Sequence, residues 1–387
     1  MLTESQQSQV IACCQELVRV QSLAGREQDA ARIAEHWMQQ LGYDEVWVDG
    51  FGSVVGRIVG RSDGPRLHFD GHLDTVPATA VDQWQHDPFG AELVDGNIWG
   101  RGATDMKGPV AAMICAAGFT PREQLRGMIT VSASVAEEEL EGPALNAILQ
   151  QHPADLVVIG ESTELQVGIG QKGRAGIRVT THGRPAHSST PHLGDNAVYH
   201  MMEATARLCA FQPPHDQLLG PGIMELVEIV SSPYPGTSIV PDRCTVRWDR
   251  RLVRGETRES VLDSLWATLV GLEHVHVDYL DVTVPCYTGA TLTSDDFHPA
   301  WDISENSPFV QAALQSVAAT GEKAQTCAVS YCTNGSGSAG ELGIPTIVLG
   351  PGNPRHFHTI DEHISIDQLL LGTEVYMGLI DMLAGSR

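Results

Sequence analysis

Chemistry that needs several carboxylates and imidazoles in one place must collect them from the ends of separate elements, and this sequence has them at such ends. His72 and Asp74 follow a short β-rich run at 66–69. Asp105 lies in the glycine-rich turn Gly100-Arg101-Gly102-Ala103-Thr104-Asp105, before a run patterned as a helix. Glu137, Glu138 and Glu139 follow an apolar run at 128–135, and Glu161 follows another at 156–159. Two divalent cations about 3.5–4 Å apart can clamp a substrate oxygen and activate a water. Zinc in such sites takes imidazole nitrogen and carboxylate oxygen and keeps a position open. Ligands of open α/β sheets bind beyond the carboxyl ends of the strands, so these strand-end donors converge on one rim.

The elements that must position them can be read from periodicity. Thr3 is an N-cap type before a helical pattern reaching residue 20, with Ile11, Leu17 and Val18 on one face. A second helical pattern at 28–41 stops at Gly42, a residue type favoured just past a helix end. Strand patterns at 45–48, 54–59, 66–69, 128–135 and 156–159 alternate with helical ones at 106–118 and 144–150. That alternation implies an α/β layer architecture. Past residue 171 the style changes. Strands are predicted at 175–181, 244–248 and 274–279 and helices at 196–208 and 258–270. The order strand, helix, strand, strand, helix, strand is that of a ferredoxin-like α+β unit. A helix at 308–320, a strand at 346–349 and a helix at 366–383 return to the first style. The expected division is an α/β domain of residues 1–170 and 289–387, interrupted by an inserted domain of residues 171–288.

The 387 residues carry 48 acidic and 24 basic side chains, a formal net charge of −24. Such a chain does not bind a phosphate backbone, which needs a basic face, so no nucleic-acid partner is expected. No apolar stretch approaches a membrane span, and the polar start 1–9 lacks the pattern of a secretory signal. The eight cysteines form no C-x-x-C pair, which suits reduced thiols in the cytoplasm.

The runs His72-Leu73-Asp74-Thr75-Val76-Pro77, Trp84, Asp87-Pro88-Phe89 and Gly100 to Gly108 resemble the signature of the M20 metallopeptidase family, which includes acetylornithine deacetylase, succinyl-diaminopimelate desuccinylase and carboxypeptidase G2. The likeness continues in order through Glu137-Glu138, Gly160-Glu161, Ala186-His187-Ser188, Asp249-Arg250-Arg251 and His358-Thr359-Ile360-Asp361-Glu362. It implies a mixed-sheet, zinc-peptidase-like catalytic domain with an inserted dimerisation or lid domain. It also implies that His72 and Glu161 bind one metal ion, Glu138 and His358 the other, and that Asp105 bridges them. His358 is chosen over His356 and His363 by the Thr-x-Asp-Glu that follows it. The ions would be zinc, with cobalt or manganese as alternatives. Asp74 would orient His72, and Glu137 would be the general base toward a metal-bridging water. A cis peptide after Asp105 is a further implication.

In the inserted domain the resemblance gives His187 a carbonyl-polarising role across a homodimer, and Arg251 a substrate carboxylate to pair with. Thr333 and Asn334 are candidate substrate contacts. Relatives often have Asp and Arg after the threonine of this segment, and here residues 332–337 carry no charge. Glu139, Glu141, Arg250, Arg254, Lys172 and Arg174 read as solvated charges, and His68 as core. The expected function is hydrolysis of the amide bond of a small N-acyl amino acid. A dipeptidase or glutamate-type carboxypeptidase is the alternative within the family, and a catalytically silent binding protein is the alternative outside enzymes.

Overall fold

Four parallel strands set the geometry of everything that follows. Ser62–His72 lies between Arg126–Ser134 and Leu156–Ile159, and Thr346–Val348 continues the parallel set beyond Leu156–Ile159. They form the centre of a nine-stranded mixed sheet. Val54–Val59 and Glu45–Val48 extend it antiparallel on one side, and Val167–Gln171, Trp301–Asp302 and Thr326–Val329 complete the other. The last six residues of both Ser62–His72 and Arg126–Ser134 are buried, as expected of strands covered on both faces. Gly108–Phe119 is buried nearly all round and packs against Glu4–Val18 and Ile366–Ala384. Thr3 caps Glu4–Val18 through a capping box with Gln6.

The computed structural model describes residues 1–385, which divide into two units. The first comprises Met1–Gln171, Thr283–Thr293 and the chain from Trp301 onward; the second comprises Lys172–Val282 and Ser294–Ala300. The expected boundary at 289 differs from this. The chain re-enters the second unit after residue 293, because Phe297–His298 pairs with Gly173–His182. That pairing is two residues long, preceded by polar residues and followed by Pro299, too short to show as periodicity.

The second unit has a sheet in the order Ile223–Ser232, Arg243–Leu252, Gly173–His182, Val275–Tyr279. Helices Ala197–Ala210 and Arg258–Thr268 close its core, around Ile177, Val179, Met201, Val246, Trp248 and Leu265. The chain order is strand, helix, strand, strand, helix, strand, the ferredoxin-like arrangement. Two charges expected in solvent are buried here. Lys172 donates from Nζ to the Pro221 carbonyl at 2.5 Å. Arg250 pairs with Glu256 and stacks 5.0 Å from the centre of the Phe211 ring. Glu256 in turn accepts the Val253 N–H at 2.8 Å. Removing one member of a buried pair strands the other charge, so Glu256→Ala is expected to cost about 3–5 kcal/mol. Urea denaturation checks this; an unchanged midpoint would show that Arg250 finds water instead.

Candidate metal centre

The parallel register aligns the functional strand ends. Asp70 pairs with Ser132 on one side and Ile159 on the other, and His72 pairs with Ser134. His72, the Glu137–Glu138 turn and Glu161 therefore leave the sheet at one edge. The His72 ring is buried, and its Nδ1 lies 2.8 Å from the Asp74 carbonyl oxygen. Its Nε2 faces the acids, 3.2 Å from Asp105 Oδ1, 3.1 Å from Glu161 Oε1 and 3.7 Å from Glu137 Oε2. The other oxygen of Asp105 lies 3.2 Å from His358 Nε2, which is 3.1 Å from Glu138 Oε2. Two triads result, His72–Asp105–Glu161 and Asp105–Glu138–His358, each with its ligand-type atoms within 4.8 Å of one another. They share Asp105, with one oxygen for each.

Local structure holds this arrangement through backbone anchors. Asp105 lies at a non-helical kink within Ala103–Lys107, with a cis peptide bond to Met106. Glu362 accepts the N–H groups of Thr104 and Asp105 on one oxygen, at 3.0 Å each, and its other oxygen meets Arg101 Nη1 at 2.5 Å. The loop bearing His358 is thereby closed onto the turn bearing Asp105. Asp74 works the same way on the Glu137–Glu138 turn, accepting Glu137 N–H at 3.0 Å and Glu138 N–H at 2.9 Å. This differs from its expected role of orienting His72 through the carboxylate. The close contact to His72 comes from the Asp74 main-chain carbonyl, while the carboxylate stands 3.7 Å from the ring nitrogen. Glu27 accepts Gly25 N–H at 2.9 Å and Ala136 N–H at 3.1 Å, just before Glu137. Arg101, Glu362 and Glu27 received no role from sequence. The first two stand inside recognised motif runs, and their opposite charges were the available signal; Glu27 left none.

The electrostatics show a cluster short of positive charge. Burial, then the Asp105 charge, raises the proton affinity of Glu161 to about 7. Burial and the Asp105 charge likewise raise Glu138. Burial and the neighbouring glutamates push Glu137 well above its ordinary range, against the pull of His72. Hydrogen bonds that His358 donates to Asp105 and Glu138 raise it to about 10. Glu137 Oε1, Glu138 Oε1 and Glu161 Oε2 are buried with no hydrogen-bond partner. Oxygens in that state fit cations, which would supply the missing charge.

The remaining expected residues fall elsewhere. Thr333 and Asn334 are buried and their polar atoms are consumed inside the protein, so they are not open substrate contacts. Thr333 exchanges hydrogen bonds with the Gln171 side chain. The His356 and His363 rings lie tilted against each other, centres 4.1 Å apart, and join neither triad. Glu139 is exposed, but Glu141 is buried, contrary to expectation, and its charge acts on Glu137. His187 and Arg251 belong to the second unit.

Residues 68–382 match the model of peptidase family M20/M25/M40. The uncharacterized protein YgeY of Escherichia coli K12 is 32% identical over 357 residues, covering 90% of this chain and 87% of YgeY. Succinyl-diaminopimelate desuccinylase of Thioalkalivibrio sulfidiphilus is 26% identical over 403 residues, covering 97% of this chain and 99% of the relative. Among solved structures, the M20 family metallo-carboxypeptidase Sso-CP2 of Sulfolobus solfataricus shares the fold, with a TM-score of 0.74 at 17% identity over 98% of this chain and 99% of its own. The chain belongs to peptidase family M20/M25/M40. It is a metal-dependent hydrolase of amide bonds, which removes the silent binding protein as a reading.

Glu27 provides a pH-dependent check on the anchors. Burial, then the Asp74 charge, raises its proton affinity from 4.5 to about 7. A raised folded-state value means that its favourable contribution is present below the unfolded value and is lost as pH rises through the folded one. Glu27→Gln keeps the acceptor and removes the charge, so its thermal midpoint should gain on wild type between about pH 5 and about pH 8. A difference constant across that range would contradict a buried ionising Glu27.

Proposed function

We propose that this chain uses two divalent ions, zinc with cobalt or manganese as substitutes, to hydrolyse the amide bond of a small N-acyl amino acid. In this reading His72 and Glu161 hold one ion, Glu138 and His358 hold the other, and Asp105 gives one oxygen to each. The pair of triads sharing Asp105 is the observation that carries it. Three carboxylates against two dications leave a single positive charge, small enough for a bound anion to offset. The ions would polarise a carbonyl and lower the pKa of a water.

Glu137 then has the remaining work. Its Oε2 is 3.7 Å from His72 Nε2 and its Oε1 has no protein partner. A buried carboxylate with raised proton affinity suits taking a proton from the attacking water and passing it to the departing amine. Asp74 supports this by anchoring the Glu137 and Glu138 amides together. The desuccinylase relative supports an acyl amino acid over a peptide.

The second unit suits a homodimer. Ile223–Ser232 is an edge strand that leaves Val227, Ile229 and Val230 exposed, and Tyr199 and Met202 of Ala197–Ala210 are exposed as well. An apolar unpaired edge is a template for a second copy. His187 in this unit is exposed, with Nδ1 2.7 Å from Ser189 Oγ, which leaves Nε2 for a substrate carbonyl. Arg251 is paired with Asp249 at 3.0 Å and would exchange it for a substrate carboxylate. Eight cysteines with no disulfide among the described residues suit the cytoplasm, and no helix among the described residues is long and apolar enough to cross a membrane.

Glu137→Gln should retain two metal ions per chain and lose about 10²–10⁴-fold in kcat. Near-normal turnover would remove Glu137 as the base. N-acetyl and N-succinyl amino acids should exceed dipeptides in kcat/KM; the reverse order would make the enzyme a dipeptidase or carboxypeptidase. Sedimentation should show a dimer, and a fully active monomer would exclude a role for His187 across an interface.

A further inference from the structure

Beneath the triads lies a second buried polar cluster that the proposed chemistry leaves unused. Asp70 stands two residues before His72 on Ser62–His72, on the same face of the strand, and is fully buried. Ser132 Oγ donates to its Oδ1 at 2.5 Å, and Asn334 Nδ2 donates to its Oδ2 at 2.9 Å. His68 Nε2 lies 2.7 Å from Ser132 Oγ. The Ser132 proton is spent on Asp70, so His68 must be the donor to Ser132. Asn334 has nothing left over. Its second Nδ2 hydrogen goes to Ser134 Oγ at 3.1 Å, and its Oδ1 accepts Gly142 N–H at 2.7 Å.

One side-chain amide thus touches three parts of the site's scaffold. It meets the carboxylate under His72, the strand that runs into the Glu137–Glu138 turn, and the residue preceding helix Pro143–Gln151, where that turn ends. The segment that carries Asn334 presses on the same place. A Cβ added at Gly337 would fall 2.9 Å from Gly142 Cα and 2.5 Å from Asn146 Oδ1, so only glycine fits there. The chemistry of the pair is specific. A buried carboxylate needs donors on both oxygens, and a carboxamide is a side chain that can donate to Asp70 while accepting from Gly142. A carboxylate at 334 would accept from Gly142 equally well but would set two acids 2.9 Å apart.

We propose that Asp70 and Asn334 are positioning residues, a buried carboxylate–carboxamide pair that locks the uncharged 332–337 segment to the strand ends bearing the metal ligands and the base. The inference rests on the two-metal reading. Metal ligands and a base must be held within about 0.5 Å of productive geometry, and here three chain segments meet through a single amide.

The test exchanges the two groups. Asn334→Asp and Asp70→Asn are each nearly isosteric; the first brings two acids together, and the second leaves two amides where a charge was held. Both together restore one carboxylate facing one carboxamide and keep the net charge. Each single variant should lose about 10–100-fold in zinc affinity, measured by calorimetry on the metal-free protein, and a similar factor in kcat with KM little changed. The double variant should return both to within about threefold of wild type, since groups in direct contact are not additive. A double variant no better than the product of the single losses would overturn the pairing. So would single variants that lower only the thermal midpoint and leave zinc affinity and kcat intact, for then the pair is merely structural. If the single variants do not fold, the double variant decides: folded with two zinc ions supports the pair, and unfolded refutes it. Wild type binding fewer than two ions would fail the two-metal reading itself and this inference with it; two ions in wild type with unaffected variants would fail the inference alone.

Discussion

Carboxylates removed from water repel one another, and Asp105, Glu137 and Glu161 are buried together with the largely buried Glu138. The two imidazoles between them, His72 and His358, offset part of that charge, yet three carboxylate oxygens still find no partner. A folded chain keeps such a cluster only when something compensates it. The sharing of Asp105 between two triads makes a pair of dications the compensation that fits, and the surrounding structure can be understood as what prevents the acids from moving apart.

The acids near the centre divide by what they accept. Asp74, Glu362 and Glu27 each take two backbone N–H groups, from Glu137 and Glu138, from Thr104 and Asp105, and from Gly25 and Ala136. They fix the turns, Asp74 and Glu362 through both oxygens and Glu27 through Oε1 alone, its Oε2 being buried without a partner. Glu137, Glu138 and Glu161 each keep an unsatisfied oxygen and accept no backbone N–H on the other, and these are the groups that face His72 and His358 and are available to a cation. Two sets of carboxylates within one site thus serve different ends, one building the loops and one presenting charge. Asp70 belongs with the builders, although it is served by side chains and not by the backbone.

Much of the site was legible because its residues stand at the ends of strongly patterned strands. The runs 54–59 and 156–159 match observed elements Val54–Val59 and Leu156–Ile159, and donors that follow strands stand together in two triads. The ordered motifs selected His358 over His356 and His363, whose rings lie tilted against each other and join neither triad. What stayed hidden depends on contacts between distant segments. Glu362 anchors a turn 257 residues away, and Asn334 meets Asp70 across 264. Its place in a motif run and its charge opposite to Arg101 were the signal for Glu362, nothing local marks Asn334, and an uncharged 332–337 segment looked like a surface open to substrate when the polar atoms of Thr333 and Asn334 were already engaged. Arg250 misled for a related reason: its partner Glu256 is close in sequence, but only burial separates a structural pair from two solvated charges. Short strands such as Phe297–His298 escaped because two residues have no period.

The most direct measurement is anomalous diffraction at the zinc edge from crystals grown with zinc. Two peaks about 3.5–4 Å apart are expected, as in two-metal hydrolases, with one oxygen of Asp105 directed at each. His72 and Glu161 should flank one peak, and Glu138 and His358 the other. A single peak, or two peaks that do not share Asp105, would contradict the bridged centre on which the proposed function depends.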